Sequence, residues 1–239
     1  MKVPKTRPRC LLGSLKNGGN GLGQHESERD VSGPCEGASV RLRSPRRGRG
    51  GEGRRLDAVH YVLVISYSMS LSADGYIAGP DGRFDWAVPS EELHRFHNER
   101  AAATDAQLLG RRLYETMLVW DTEEFSDPVM AEFAEIWRPL EKIVFSTTLT
   151  SVEGSNRLAT GTLEEEVAAL GNRRIAVGGA GLAAACMRLG LIDEFELFVV
   201  PIAVGGGTPY FPPDVHIDLE LVETRTFGAT VYLRYRRRG

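Results

Sequence analysis

From residue 60 onward, short runs of β-branched and aromatic residues alternate with longer stretches of helical spacing. The run 61–69, Tyr-Val-Leu-Val-Ile-Ser-Tyr-Ser-Met, has the composition of a buried strand. Further strands are predicted over 106–110, 142–146, 174–177 and 194–201, with a weaker one over 156–160. The runs 219–226 and 229–236 alternate apolar and polar positions and meet at Phe227-Gly228, the pattern of a hairpin.

Five helices fall between these strands. Ser90 caps one whose first turn carries Glu91 and Glu92 and which runs to about Ala103. A short helix covers Arg111 to Leu118. Asp127 followed by Pro128 opens a third, to Trp137, because proline suits the first helical position. Thr162-Leu163-Glu164-Glu165 is a capping box for a fourth, to Leu170. The fifth leaves Gly178-Gly179-Ala180-Gly181 and ends near Leu189. Helices separate most of the early strands, whereas the last two strands pair antiparallel. The predicted fold is therefore one α/β domain, with an eight-stranded, mostly parallel sheet, an antiparallel C-terminal hairpin and flanking helices.

Residues 1–59 differ. They lack periodicity, are rich in Gly, Ser, Arg and Pro, and contain no aromatic residue. Up to residue 57 they hold 13 Lys/Arg against 6 Asp/Glu, while the remainder holds 16 against 26. The expectation is a disordered basic tail, or a start assigned too far upstream, joined to an acidic body. An acidic body argues against nucleic acid as a partner. No run of eighteen apolar residues exists to span a membrane, and Leu11-Leu12 is too short for the apolar core of a secretory signal. Cys10, Cys35 and Cys186 have no metal-like spacing, and Cys186 lies in an apolar helix, where a small buried thiol is expected. These features fit a cytoplasmic protein with no membrane partner and no metal.

Several segments carry candidate chemistry. Gly178-Gly179-Ala180-Gly181 joins a strand to a helix, where glycine admits close backbone approach and free N–H groups attract phosphate. The same glycines also suit a plain tight turn. Gly179 and Gly181 match the first two positions of the Gly-x-Gly-x-x-Gly fingerprint, but Ala184 takes the third. Gly110-Arg111-Arg112 forms a second strand-to-helix junction. Two guanidiniums oppose the helix dipole there, a misfit that a bound anion would relieve. Ser72 to Gly82 is a long loop of the kind used as a lid. Within it, Asp74 is placed to polarise a substrate, or to fasten the loop through its own backbone amides. Val204 to Phe211 contains Gly205, Gly206 and Gly207, which expose backbone to a flat ring or form a wide turn. His94 and His97 lie one turn apart but lack a third metal ligand, and read as part of a solvated helix face.

In combination these segments resemble the dihydrofolate reductase-like superfamily, and most closely the C-terminal reductase domain of RibD and its stand-alone bacterial relatives. The resemblance rests on residues 69–78 (Met-Ser-Leu-Ser-Ala-Asp-Gly-Tyr-Ile-Ala) and 109–115 (Leu-Gly-Arg-Arg-Leu-Tyr-Glu). It continues through Val144-Phe145-Ser146, residues 177–182 and the stretch from Pro201 to Phe211. These segments occur in family order from about residue 60 to 237.

The resemblance implies an NADPH-dependent oxidoreductase that acts on a pyrimidine-like small molecule, as in the ribosylaminouracil reductase step of riboflavin biosynthesis, and that forms a homodimer. It assigns Gly110, Arg111, Arg112, Ser146 and Thr147 to the adenosine end of the cofactor. Gly178, Gly179, Ala180, Gly181 and Leu182 would hold the pyrophosphate, and Ile77, Ala78, Gly205 and Gly206 would border the nicotinamide. The junctions at 110–112 and 178–182 would thus grip opposite portions of one dinucleotide. Two positions depart from the pattern: Val177 stands where RibD reductases carry glutamate, and Thr147 where many relatives carry a basic residue. The alternatives are a dihydrofolate or pteridine reductase on the same scaffold, and a nucleotide-binding module without catalysis.

Overall fold

The computed structural model describes residues 63–239; the expectations for 1–59 lie outside the described residues. The elements run in order β1 (Val64–Ser72), β2 (Tyr76–Ala78), α1 (Glu91–Ala102), β3 (Ala106–Gly110), α2 (Arg111–Thr122), α3 (Pro128–Trp137), β4 (Glu141–Phe145), β5 (Asn156–Leu158), α4 (Leu163–Leu170), β6 (Arg174–Gly178), α5 (Ala180–Arg188), β7 (Glu194–Val200), β8 (Thr208–Pro209), β9 (Leu219–Phe227) and β10 (Thr230–Arg237). Eight strands form one sheet in the order β5-β4-β3-β6-β1-β7-β10-β9. All pairs from β5 to β7 are parallel, and β10 pairs antiparallel with both β7 and β9. This is the expected architecture.

The helix starts obey the sequence signals. Ser90 accepts from the N–H of Leu93, Asp127 from those of Val129 and Met130, and Thr162 with Glu165 forms the capping box. Helix α2 runs four residues past its predicted end at Leu118. The reason is tertiary: its last turn buries Trp120 against the α3 aromatics, and that packing outweighs weak local propensity. The two-stranded ribbon of β2 and β8 is absent from the sequence pattern, because each strand is too short to show a period.

Side chains alternate across β1. Ile65, Tyr67 and Leu71 enter the largest core, beneath α4 and α5, together with Ile143, Ile175, Val177, Phe195 and the fully buried Cys186. The opposite face carries two separate clusters. One packs Leu109 and Val144 against Tyr114, Trp120 and Trp137 of α2 and α3. The other packs Phe198, Tyr232 and Phe227 against Leu93 and Phe96 of α1. On this face β1 also presents the half-buried Val64, Ser66, Ser68 and Ser70, and β6 the half-buried Ala176. A central strand covered on both sides should be apolar on both. The serines thus make this the least apolar strip in the middle of the sheet.

Buried charge supports the sheet at the end remote from the glycine turns. Lys142, fully buried, donates to the carbonyls of Trp137 (2.7 Å), the last residue of α3, and Leu140 (3.0 Å) just beyond it, and pairs with Asp121 at 3.5 Å. A cation there satisfies the carbonyls that a helix C-terminus leaves over.

Candidate functional site

The residues singled out from the sequence converge on one edge of the sheet. Ser146 and Thr147 come after β4, Gly110–Arg112 after β3, and Gly178–Leu182 after β6. Asp74 to Ala78 come after β1, and Gly205 and Gly206 after β7. Those five strands are consecutive neighbours in the sheet and parallel. Their C-terminal ends therefore line up over roughly 19 Å, at the usual strand spacing. In open α/β sheets this edge is where ligands bind.

The two strand-to-helix junctions do not sit at opposite ends of that line. Because β3 and β6 are adjacent, Gly110 and Gly179 touch: a Cβ on Gly179 would lie 3.6 Å from both N and Cα of Gly110. The two ends of the site are instead the turn at 146–147 and the glycine loop at 205–206. Gly178 is demanded by packing, since a Cβ there would collide with Leu113 and lie 3.1 Å from Leu109 Cδ2. Gly181 faces open space, as a ligand-facing position must.

Helices α2 and α5 start at this edge, and neither receives a side-chain hydrogen bond at its N-cap, which is glycine in both (Gly110 and Gly179). Helices α1, α3 and α4 are all capped by side chains. Uncapped first-turn amides together with the dipole make an anion site. Arg111 pairs with Glu115 at 3.1 Å, one turn along α2. Its side chain also borders an open groove of about 530 Å³ formed with Phe145, Ser146, Thr147, Thr148, Ala159 and Gly161. Arg112 is exposed. Ser146 shapes the groove's lip by accepting from the amides of Thr148 (3.1 Å) and Leu149 (3.0 Å).

Thr148, Ala159 and Gly161 were not predicted from the sequence, since they reach the groove through loops without a motif. Nor was Glu166, which stands in an acidic first turn where solvent exposure is the ordinary outcome. Its carboxylate is buried and accepts from the amides of Thr160 (2.7 Å) and Gly161 (3.2 Å) while pairing with Arg157 at 2.7 Å. The Arg157 guanidinium, with those two amides behind it, draws its carboxyl down to about 2.

At the other end, Ile77 is buried in the core while Ala78 is half-buried on β2. Asp74 is exposed. It does not fasten its own loop's amides alone but accepts from Val204 N–H (3.1 Å) and Gly205 N–H (2.7 Å), across the chain. Gly205 takes φ +74° and Gly206 φ +151°, conformations that favour glycine.

His94 and His97 do not lie on a solvated face. His97 packs its ring 4.4 Å from that of Phe198, and His94 sits about 6 Å from Trp120 and Phe133, because α3 covers that side of α1. Burial, then the neighbouring His94, lowers the His97 imidazole to about 4. A folded-state value below the unfolded 6.5 means this burial stabilises fully above pH 6.5 and is lost as pH falls from 6.5 toward 4. Thermal unfolding should show stability dropping by about 2–3 kcal/mol across that window, with a clearly smaller drop in His97→Phe. Glu166 would extend the loss below its unfolded value of 4.5. An unchanged acid profile in His97→Phe would assign the drop elsewhere.

Among the described residues, no group of three or more His, Cys, Asp or Glu side chains is arranged to hold a metal ion, and no helix is long and apolar enough to cross a membrane.

Sheet order, helix placement and the glycine-lined C-terminal edge define a dihydrofolate reductase-like α/β domain. Within that class, residues 63–233 match the RibD C-terminal domain, and the chain belongs to that family. Membership makes it a reductase-type domain. Two Bacillus subtilis (strain 168) proteins, the uncharacterized YyaP and YwjB, are each 30% identical to it. YyaP aligns over 70% of this chain and 90% of its own length, YwjB over 73% and 95%. Among solved structures, a putative riboflavin biosynthesis protein from Shewanella sp. PV-4 superposes with a TM-score of 0.58 at 22% identity, over 74% of this chain and 99% of that one. A Thermotoga maritima diaminohydroxyphosphoribosylaminopyrimidine deaminase/5-amino-6-(5-phosphoribosylamino)uracil reductase gives 0.52 at 15% identity, over 74% of this chain and 57% of that one. Dihydrofolate reductase from Enterococcus faecalis, complexed with NADP(H), gives 0.50 at 15% identity, over 74% and 97%. These likenesses bear on the fold.

Proposed function

We propose that the protein is an NADPH-dependent reductase of a small heterocycle, with a pyrimidine of the riboflavin-precursor type as the first substrate class to test. The observation that carries this reading is the pair of uncapped helix N-termini, α2 and α5, side by side at the ligand-binding edge. Their amides suit a pyrophosphate. Arg111, with Ser146 and Thr147, fits a phosphorylated ribose beside it, and the groove accommodates the base. At the far end, Ala78, Gly205 and Gly206 offer backbone against which a flat ring can lie.

When bound, the nicotinamide would supply the hydride. The protein's part is to orient, to keep water out and to seat the substrate. The serine-bearing face of β1, with Ser68 and Ser70 half-buried, runs toward that end of the edge and is the place to seat a planar substrate.

The test is calorimetry with NADPH and NADH, then absorbance assays of NADPH oxidation with ribosylaminopyrimidine, dihydrofolate and quinone substrates. Turnover of the first supports the reading. Turnover of dihydrofolate alone moves the assignment to a pteridine reductase, and absence of heat with both coenzymes ends it. Arg111→Ala and Arg112→Ala should each weaken NADPH by about 1–3 kcal/mol and leave NADH nearly unchanged. Equal loss for both coenzymes would remove the arginines from contact with the 2′-phosphate.

A further inference from the structure

We infer that Glu166 and Asp74 are positioning residues that hold the two end walls of the nucleotide cleft, each by capturing a pair of consecutive backbone amides. The inference rests on the nucleotide reading above and gives its two ends separate supports.

At the groove end, the wall is the segment 159–161, which leaves the three-residue edge strand β5 and turns into α4. So short an edge strand does little to pin the chain beyond it. The N-terminus of α4 is already satisfied by its capping box, in which the Glu165 carboxylate takes the amide of Thr162 at 2.8 Å. Glu166 is therefore not needed as a cap. It turns back instead and takes the next two amides upstream, those of Thr160 and Gly161, with Arg157 of β5 on its other oxygen. Burying a carboxylate is costly unless its hydrogen bonds are complete, and here every bond goes to the groove wall or to the strand feeding it.

At the glycine-loop end the logic repeats with different residues. Gly205, Gly206 and Gly207 all have positive φ, and three consecutive glycines lose more freedom on ordering than other residues would. The carboxylate of Asp74 takes the amides of Val204 and Gly205. The bonds from Ala73 N–H to Ile202 O (2.7 Å) and from Tyr210 N–H to Gly75 O (3.0 Å) flank it, tying the lid loop and the glycine loop together. An acid whose oxygens are filled by amide donors is held ionised. Its carboxyl lies below the usual range, through the Ser72 hydroxyl first and then the Gly205 and Val204 amides, the reverse of what proton donation at neutral pH requires.

The two supports are separable by ligand. Calorimetry on the full chain would use NADPH and, as the adenosine half alone, adenosine 2′,5′-bisphosphate. Glu166→Gln should weaken both probes, by about tenfold. Asp74→Ala should weaken NADPH to a similar degree but leave the bisphosphate within about twofold of wild type, with Asp74→Asn in between because it keeps one acceptor. Amide hydrogen exchange should rise at 160–161 in the first variant and at 204–205 in the second. If Glu166→Gln fails to fold, Glu166→Asp retains the charge, withdraws the oxygens by one methylene and carries the same expectation. Wild-type affinity in both variants, or equal weakening of both probes by Asp74→Ala, overturns this inference alone. Wild-type protein that binds neither probe overturns the nucleotide reading and this one with it.

Discussion

Replacing Gly207 with alanine should lower the unfolding free energy by about 4 kcal/mol, the largest loss expected from any single glycine among the described residues. Gly207 takes φ +121°, and a Cβ there would overlap the carbonyl oxygen of Ala78 and lie 2.5 Å from the carbonyl carbon of Gly79. Both obstacles are backbone, so neither can swing aside as a side-chain tip would. The positions it would strike belong to β2 and the turn after it, and β2 is held to β8 by the ribbon that begins one residue beyond Gly207. Relief therefore means parting the lid loop from the glycine loop. Urea unfolding monitored by tryptophan fluorescence would measure the loss. Gly181→Ala is the matched control, since nothing lies within 4 Å of its added Cβ, and it should cost the fold little. A loss below about 1 kcal/mol in Gly207→Ala would mean that the two loops are not packed as described.

That contact was invisible in the sequence, and the reason separates what could be read from what could not. Strands such as 174–177 and helices opened by Ser90, Asp127 and Thr162 declare themselves through local chemistry, because a cap or an apolar run acts within a few residues. The order of strands along the sheet has no local signature, yet it decides that Gly110 and Gly179 are neighbours and that five loops share one edge. The same holds for charges. Asp74 finds its amides through tertiary geometry, at a separation of 130 residues from Val204, whereas those of Glu166 lie only five and six residues upstream but carry no motif to mark them. Motifs accordingly located the strand ends gathered at this edge and singled out Asp74 without its distant partners, and they left out Glu166. His97 errs the other way: its polarity suggested solvent, but the face it occupies is claimed by Phe198 below it and covered by α3.

Gly179→Ala should have its main effect on ligand binding, with about a hundredfold loss of NADPH affinity. Gly179 takes φ +95° and ψ 126° as the N-cap of α5, a conformation from which a side chain is excluded by its own backbone. The surroundings are permissive, since the added Cβ would meet Gly110 and Leu113 at ordinary contact distances of 3.6–3.7 Å. The strain is thus torsional, about 1–3 kcal/mol, and the chain can relieve it by rotating this residue toward negative φ. Such a rotation turns the peptide that opens α5 and re-aims the first-turn amides, whose direction toward the sheet edge is what an anion would use. Thermal unfolding should therefore shift by only a few degrees while calorimetric affinity collapses. The bisphosphate probe and NADPH should differ, because on the proposed reading the α5 amides would meet the pyrophosphate bridge and Arg111 with the groove the adenosine half. Retained NADPH affinity in a folded Gly179→Ala protein would show that the amides of α5 do not bind the coenzyme, and would leave α2 as the anion site of this edge.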